Sequence, residues 1–560
     1  MRRLAYPAPV LPDYARPRAS LLAACLLGAL SCATAGAPEF ELAPSTPAAS
    51  ETAHGIVFED LDRNGVRDPG EPGIPGVRVS NGLEIASTDQ HGRYALPVDE
   101  DTILFVIKPR DWMTPVDENH VPRFYYVHKP AGSPGGHFLY RGVAPTGPLP
   151  DSVDFPLVAR PEPDRFRVVV FADPQPYTEA QLGFFARDTV AELIGFDAAL
   201  GVSLGDLVGN DLDLLEPLNE VQGLIGIPWY NVIGNHDMNF LSPDDAHSDE
   251  TYERIYGPPS YAFEYGPVHF VVLDDVIWDG FTGFNSETGR PENDNYRGGF
   301  RDDQLDFLER YLETVPTDRL VVLLMHIPLA AWGERQPDRQ DELLNLLSTH
   351  PHTLSLAGHT HTQYHLFLGA EDGYAPAEGT VHHHIAAPAA SGSRYAGARD
   401  EVGLPHATMR DGSPNGYSIV TFDGPDYRVR FKANRRPADY QIHLEAPVRV
   451  ARKRLRRTQV FVNVFAGSEK SQVEMRVAGH SRWKRLRRVV REDPAYRRLL
   501  RFERATEEPH WRELPPPRET RHLWVGALPR GLPRGAHAIE VRSTDMFGAT
   551  HRALRPLLVD

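Results

Sequence analysis

Between residues 53 and 160 apolar and polar positions alternate through short stretches such as HGIVFED, GVRVSNG and GRYALPV, separated by turns rich in Gly, Pro and Asp. Period-two alternation broken in this way predicts strands with one buried face, stacked as a β-sandwich. The Pro-rich runs PTGPLPD and ARPEPDR mark its exit. From 161 to 434 the pattern changes, and short apolar strands alternate with amphipathic segments, which predicts an α/β unit. From 435 to 560 strand-like alternation returns in VFVNVFAG, QVEMRVAG and HAIEVRSTD, interrupted by the basic stretches ARKRLRR and SRWKRLRRVVR. The expected architecture is an α/β part between two smaller all-β sandwiches.

Length and composition agree with several folded parts. A chain of 560 residues exceeds a single core, and 41 % apolar content is that of a globular protein. The net charge of −17 argues against general nucleic-acid binding. Residues 1–35 read as a signal peptide, with Arg16 and Arg18 ahead of ASLLAACLLGALSCATAGA and Ala-Thr-Ala at 33 to 35 as the cleavage site, and residues 36–52 as a linker. The protein is therefore expected outside the cytoplasm, in the periplasm or extracellular space. Both cysteines, Cys25 and Cys32, lie in this segment, so cleavage leaves no thiol for disulfides or thiolate metal sites. The rival reading is a lipid anchor at one of these cysteines, and membrane association is expected only in that case.

The ends of the apolar runs in the middle part carry the chemistry. RVVVFADPQ ends at Asp173 and Gln175, AALGVSLGDLVGND at Asp206, PWYNVIGNHD at Asn235, His236 and Asp237, RLVVLLMHIP at His326, and TLSLAGHTH at His359 and His361. One Asp or His at a strand end is by itself more often a turn former than a ligand. In open α/β sheets, however, ligands bind beyond the carboxyl ends of the strands, so the recurrence gathers these groups in one place. Carboxylate, amide and imidazole suit divalent ions of borderline softness. Asp173, Gln175, Asp206 and His361 would make one set and Asp206, Asn235, His326 and His359 another, with Asp206 as the bridge. Two dications against two carboxylates leave a positive site, which attracts phosphate and favours a bridging hydroxide that attacks phosphorus in line. His236 is left to act as general acid toward the leaving alkoxide or as an electrophile to the phosphoryl group.

The ordered set D-x-Q, GD, GNHD, a lone His after a strand and GHTH resembles the calcineurin-like metallophosphoesterase superfamily over roughly residues 165 to 435. The resemblance implies a β-sandwich core flanked by helices, a two-metal site with the ligand allotment just given, and catalytic roles for Asp206 and His236. The sequence departs from the family's pattern twice. The first motif is usually D-x-H, whereas Gln175 offers a neutral amide oxygen or nothing, which favours Mn or Fe over a tight Zn. Many relatives carry an Asp three residues after the bridging one to orient the catalytic His, but position 209 is Gly, leaving Asn210 or Asp211 to substitute. VHHHIAAPAASGSRY and HATMRDGSPNGY resemble loops of an exported, multidomain branch, which makes His383, Arg394, Asn415 and Tyr417 candidate substrate contacts. On a strand, His382 and His384 should share one face and His383 the other, as half-buried residues of a strand edge.

Near the amino end, DLDRNGVRDPGE fits a calcium-loop pattern with Asp60, Asp62, Asn64, Asp68 and Glu71 at the oxygen positions and Gly65 at the turn. Followed by GIPGVRV, it resembles the B-type repeats of bacterial surface adhesins and implies structural Ca. The expected function is an exported binuclear-metal phosphoesterase acting on a small, lipid or polymer phosphoester, with monoester and diester both open. The alternative is a non-catalytic surface or envelope binding protein on the same scaffold, against which the intact GNHD speaks.

Overall fold

The apolar runs of the middle part form two sheets laid face to face. In a computed structural model covering residues 51–135, 139–286, 288–329, 336–506 and 511–560, one sheet has the order Trp229–Val232, Leu200–Leu204, Arg165–Phe171, Gly416–Asp423, Asp426–Ala433. Its first three strands are parallel and the last two antiparallel. The other has the order Tyr261–Tyr265, Val268–Val272, Leu320–Leu324, Thr353–Ala357, His382–Ala386, Tyr364–Leu368, with four inner strands parallel. Val168, Val170, Val202, Val322, Leu324 and Leu354 are fully buried between them. Helix Glu179–Asp188 starts at Thr178, whose side chain accepts the Gln181 amide hydrogen. Helix Asp302–Glu313 turns Leu305, Leu308 and Leu312 inward at helical spacing. The proposed export signal, its cysteines and most of the linker lie outside the described residues, among which no helix is long and apolar enough to cross a membrane.

Residues Glu51–Ala159 form two four-stranded sheets, and this first sandwich is fused to the core by aromatic contacts. Phe105 meets Phe307 edge-on at 5.8 Å, and Phe124 lies 5.0 Å from Tyr261. The buried Lys129 ammonium bridges to Glu250 at 2.7 Å and Glu253 at 2.8 Å on a core helix. In the proposed calcium loop, carboxylate oxygens of Asp60, Asp62 and Glu71 lie within 4.8 Å of one another. Asp60 accepts the Asn64 and Gly65 amide hydrogens, Glu71 those of Leu61 and Asp68, and the Asn64 side chain donates to Asp62 and Asp68. The loop is thus held in shape by its own hydrogen bonds.

The last part has a four-stranded and a five-stranded sheet around Val460, Val462, Met475, Trp524 and Val541. It is not all-β: helix Pro494–Arg504 interrupts it, started by Asp493, which caps Ala495, and by proline in the first turn. ARKRLRR supplies the exposed short helix Arg452–Arg457, and SRWKRLRRVVR the strands Lys484–Arg485 and Arg487–Glu492. A buried polar strut joins this part to the core. Asp411 Oδ2 accepts the Gln363 amide hydrogen at 2.8 Å and lies 3.1 Å from His522 Nε2, while His522 Nδ1 lies 2.7 Å from Asn463 Oδ1.

Strand His382–Ala386 lies inside its sheet, so its histidines are fully buried instead of lining an edge. His382 Nε2 and His384 Nδ1 both lie 2.6 Å from Ser355 Oγ on one face. On the other, His383 is held between His365 and the Tyr427 hydroxyl, at 3.0 and 2.7 Å. Burial pushes His365 down to about 4 and His382 to about 3, and holds His383 and His384 well below the ordinary range. Each folded-state value lies below the unfolded one, so the unfolded chain binds more protons below pH about 6.5 and stability falls as pH drops from there toward 4. The slope reaches about 1.4 kcal/mol per pH unit for each histidine. Thermal denaturation should show the melting temperature falling between pH 7 and 5, less steeply in His383→Phe, which keeps the ring stack but cannot titrate.

Candidate metal centre

The donors named from the sequence lie within four residues of the ends of parallel strands. Asp173, Asp206 and Asn235 follow three strands of one sheet, and His326 and His359 two strands of the other. The donors therefore meet across the seam where the two sheets end. Gly234 allows this closeness: a Cβ there would lie 2.0 Å from the Asp206 amide nitrogen. The loops are also bent against preference. Asp173, Gln175, Asp206, His359 and His361 have φ of 47°, 43°, 48°, 69° and 51°, a left-handed conformation that costs on the order of 1 kcal/mol for each non-glycine residue.

Two groups of donors result. In the first, ligand atoms of Asp173, Asp206 and His361 lie within 4.8 Å of one another, and in the second those of Asp206, His326 and His359 do. Asn235 Oδ1 joins the second group, 3.0 Å from both His326 Nε2 and His359 Nδ1. His326 Nε2 is also 3.2 Å from Asp206 Oδ1. His326 Nδ1 donates to the Leu204 carbonyl at 2.8 Å, which turns Nε2 toward the shared centre. His361 Nδ1 likewise donates to the Gly392 carbonyl, and its buried Nε2 makes no hydrogen bond among the described residues, with Asp173 Oδ1 3.6 Å away.

The electrostatics of this cluster call for cations. Burial and the Asp206 charge raise Asp173 to about 8, so two neighbouring carboxylates are not both comfortably ionised. Burial opposes charge on Asp206, but His326 and His236 hold it well below the carboxylate range. Burial and Arg394 push His361 down to about 3, leaving a neutral imidazole ready to ligate. Burial also opposes charge on His326, and Asp206 overrides it, raising the group to about 10. A proton on His326 and a cation between the donors answer the same excess of negative potential, and metal binding would release the proton. The donor set, with an orphaned buried imidazole nitrogen and a shared carboxylate, fits divalent metal ions.

Other residues fix these groups. Asp237 accepts the Leu207, Val208 and Gly234 amide hydrogens at 2.9 to 3.0 Å, locking the GD and GNHD loops together. Asp275 accepts those of His326 and Ile327 at 3.0 Å. Its place at the end of HFVVLDD is the signal that could have singled it out. His236 lies beside the cluster, its Nε2 3.9 Å from Asp206 Oδ2, and its Nδ1 is hydrogen-bonded to Asn210 Oδ1. Of the two residues left open as the orienting group, Asn210 is the one in place. Gly209 makes room for Tyr177, whose ring packs edge-on to His236 at 6.0 Å. A Cβ at Gly209 would come within 2.5 Å of that ring.

Gln175 does not stand free for a metal. Its Nε2 donates to Asp206 Oδ2 at 2.9 Å and its Oε1 accepts from Arg394 Nε at 3.2 Å. Arg394 is thus the one candidate substrate contact that reaches the centre. Asn415 is engaged by Asp188 at 2.6 Å and the Ala390 carbonyl at 3.1 Å. Tyr417 packs on Phe171 and lines a cavity of about 680 Å³ that contains none of the metal donors. His383 is confined to its ring stack. Loop resemblance locates a segment but not the direction of its side chains, and these three side chains are held by partners away from the donors.

Carboxylate, amide and imidazole donors at the strand ends of a helix-flanked sandwich define a metal-dependent hydrolase. Three family profiles match the chain: calcineurin-like phosphoesterase over residues 166–363, its N-terminal part over 61–139 and its C-terminal part over 383–551. The chain belongs to the calcineurin-like phosphoesterases, metal-dependent phosphoric ester hydrolases, with the additional N-terminal and C-terminal domains. Among curated protein sequences none matches it. Among solved structures it is similar to a purple acid phosphatase from yellow lupin (Lupinus luteus) seeds, at 12 % identity, covering 68 % of this chain and 67 % of that one, with a TM-score of 0.31.

Overpacking at Gly209 supplies a test of the local arrangement. Gly209→Ala should destabilise the protein by about 1–3 kcal/mol, and in a Tyr177→Ala background the same change should cost much less. Denaturant unfolding of the four proteins of this cycle measures the difference.

Proposed function

We propose that the protein is an exported phosphoesterase working with two divalent metal ions that share Asp206, one among Asp173, Asp206 and His361 and the other among Asp206, Asn235, His326 and His359. The observation that carries this reading is the convergence of lone pairs from both sheets, including the His361 Nε2 that makes no hydrogen bond, on two groups of donors joined by one carboxylate. The ions, Mn, Fe or Zn, would supply Lewis acidity for water and for the phosphoryl oxygens. The chain's own residues do the rest. Asp173, held by the His359 amide hydrogen at 3.0 Å, and Asp206, held by that of His236 at 2.9 Å, fix the centre of negative charge. Asn210 accepts from Nδ1 and orients the His236 ring so that Nε2 faces the site; burial pushes the ring down to about 4, so it is the cationic form, protonated on both nitrogens, that can give its Nε2 proton to the leaving oxygen. The nearly complete burial of Asp173, Asp206 and His326 excludes bulk water and keeps these charges effective. Export rests on the reading of residues 1–35.

Gln175 is a positioning residue for Asp206 in this reading, which leaves the first centre one protein ligand short of the second. We expect that centre to lose its metal first on titration with a chelator, and the melting temperature to fall as metal is removed. Metal-reconstituted protein should hydrolyse p-nitrophenyl phosphate or its bis ester. Asp206→Ala should abolish turnover and lower the metal content by at least one ion per chain. His236→Ala should keep the metals but lose about 10²- to 10⁴-fold in kcat, the ordinary contribution of a general acid. Two ions bound with no hydrolysis of either ester or of a panel of natural phosphoesters would favour a binding protein instead.

A further inference from the structure

The Arg512 side chain of the C-terminal part lies against Tyr177 and Arg394, two residues beside the metal centre. The Gly397 amide hydrogen is donated to the Arg512 carbonyl at 2.8 Å, and Leu514 is buried with Ala396, Tyr496 and Leu500. This fastening places the Arg512 guanidinium 5.7 Å from the Tyr177 ring and 3.5 Å from the Arg394 carbonyl. Tyr177 in turn packs against His236, and the charges of Arg394, Asp206, Arg512 and Asp173 all bear on its hydroxyl. Arg394 spends only Nε, on Gln175, and neither arginine has a carboxylate partner among the described residues. The Arg394 charge opposes that of Arg512, Arg394 is half-buried and Arg512 exposed, so both guanidiniums are open to an incoming anion, which would relieve their repulsion and can be gripped by charge-assisted hydrogen bonds.

The charge balance indicates which anion. If the centre holds two dications against Asp173, Asp206 and the attacking hydroxide, one positive charge remains, and a phosphate monoester dianion neutralises it together with one arginine. The other arginine then remains in surplus, and a second phosphate would balance it. Building on the phosphoesterase reading above, we propose that Arg394 and Arg512 form a second anion subsite beside the metal centre, and that the substrate carries a second phosphate group within reach of the scissile one. Arg512 comes from the C-terminal part, so that part determines specificity as well as supporting the fold.

Calorimetric binding to metal-loaded His236→Ala protein, in which turnover is suppressed, separates the two questions. Fructose 6-phosphate probes the metal centre and fructose 1,6-bisphosphate adds the second charge. The bisphosphate is expected to bind about tenfold or more tightly than the monophosphate, since a charge-assisted hydrogen bond is worth that much. The ratio should fall to within about twofold on adding Arg512→Ala, remain partly in Arg512→Lys, and shrink with rising salt. Arg501→Ala, on the exposed face of helix Pro494–Arg504, should leave it unchanged. Equal affinities for the two sugars in the Arg512-containing protein, or an undiminished ratio in folded Arg512→Ala, would overturn the proposal. Failure to bind even the monophosphate with both metals present would count against the phosphoesterase reading itself.

Discussion

The structure turns on keeping the Asp206 carboxylate charged while it is almost wholly out of water. A buried carboxylate is tolerated only if hydrogen bonds and opposite charges replace its hydration. Here the His236 amide, the Gln175 side chain and the His326 ring surround it. None of these comes from the strand that bears Asp206, so they can be assembled only where two sheets end side by side. The sandwich is therefore the means by which a deeply buried anion acquires partners from three other strand ends. The left-handed loops follow from the same demand, because short turns must aim side chains back over the sheets that carry them.

Strain of this kind persists only where surrounding structure over-determines it, and the flanking parts contribute to that restraint. Asp411 accepts the amide hydrogen of Gln363, two residues after His361, and is itself braced by His522 from the last part. Lys129 of the first sandwich ties down the helix that follows the GNHD loop through Glu250 and Glu253. Buried ionic and polar contacts are poor sources of net stability but are sensitive to geometry, since removing one partner strands the other. Their use at both boundaries fits parts whose relative placement matters to the centre.

The convergence of the strand-end residues was legible in the sequence because each closes a run of apolar residues, and a run that long fixes both the strand and the end at which its loop emerges. The three-part organisation was legible for a similar reason: period-two alternation and unbroken apolar runs are distinct signals of sheets exposed on one face and buried on both. What escaped notice depends on contacts between distant segments. Tyr177 sits in a loop with no periodicity, and Arg512 is one arginine among many in a basic region. His383, Asn415 and Tyr417 looked available because polar side chains usually are, whereas here each is consumed by partners in other elements. Helix Pro494–Arg504 was hidden by its charge, although DPAYRRLL carries both the Asp cap and the proline that begin it.

The departures from the family's motifs are physically connected. Gly at 209 removes the carboxylate expected to orient His236, and Asn210 supplies a neutral amide oxygen in its place. The space above Gly209 is filled by Tyr177, which brings an aromatic face to the rim of the site and gives Arg512 a surface to lie on. Gln at 175 in place of His likewise exchanges a metal donor for a group that holds Asp206 on one side and Arg394 on the other. Each change moves the site in the same direction, with fewer protein donors to the metals and more cationic and aromatic surface toward the substrate. On the reading proposed above, a centre altered in this way would depend more on what the substrate brings, since an anionic ligand would add donors to the metals and neutralise the arginines.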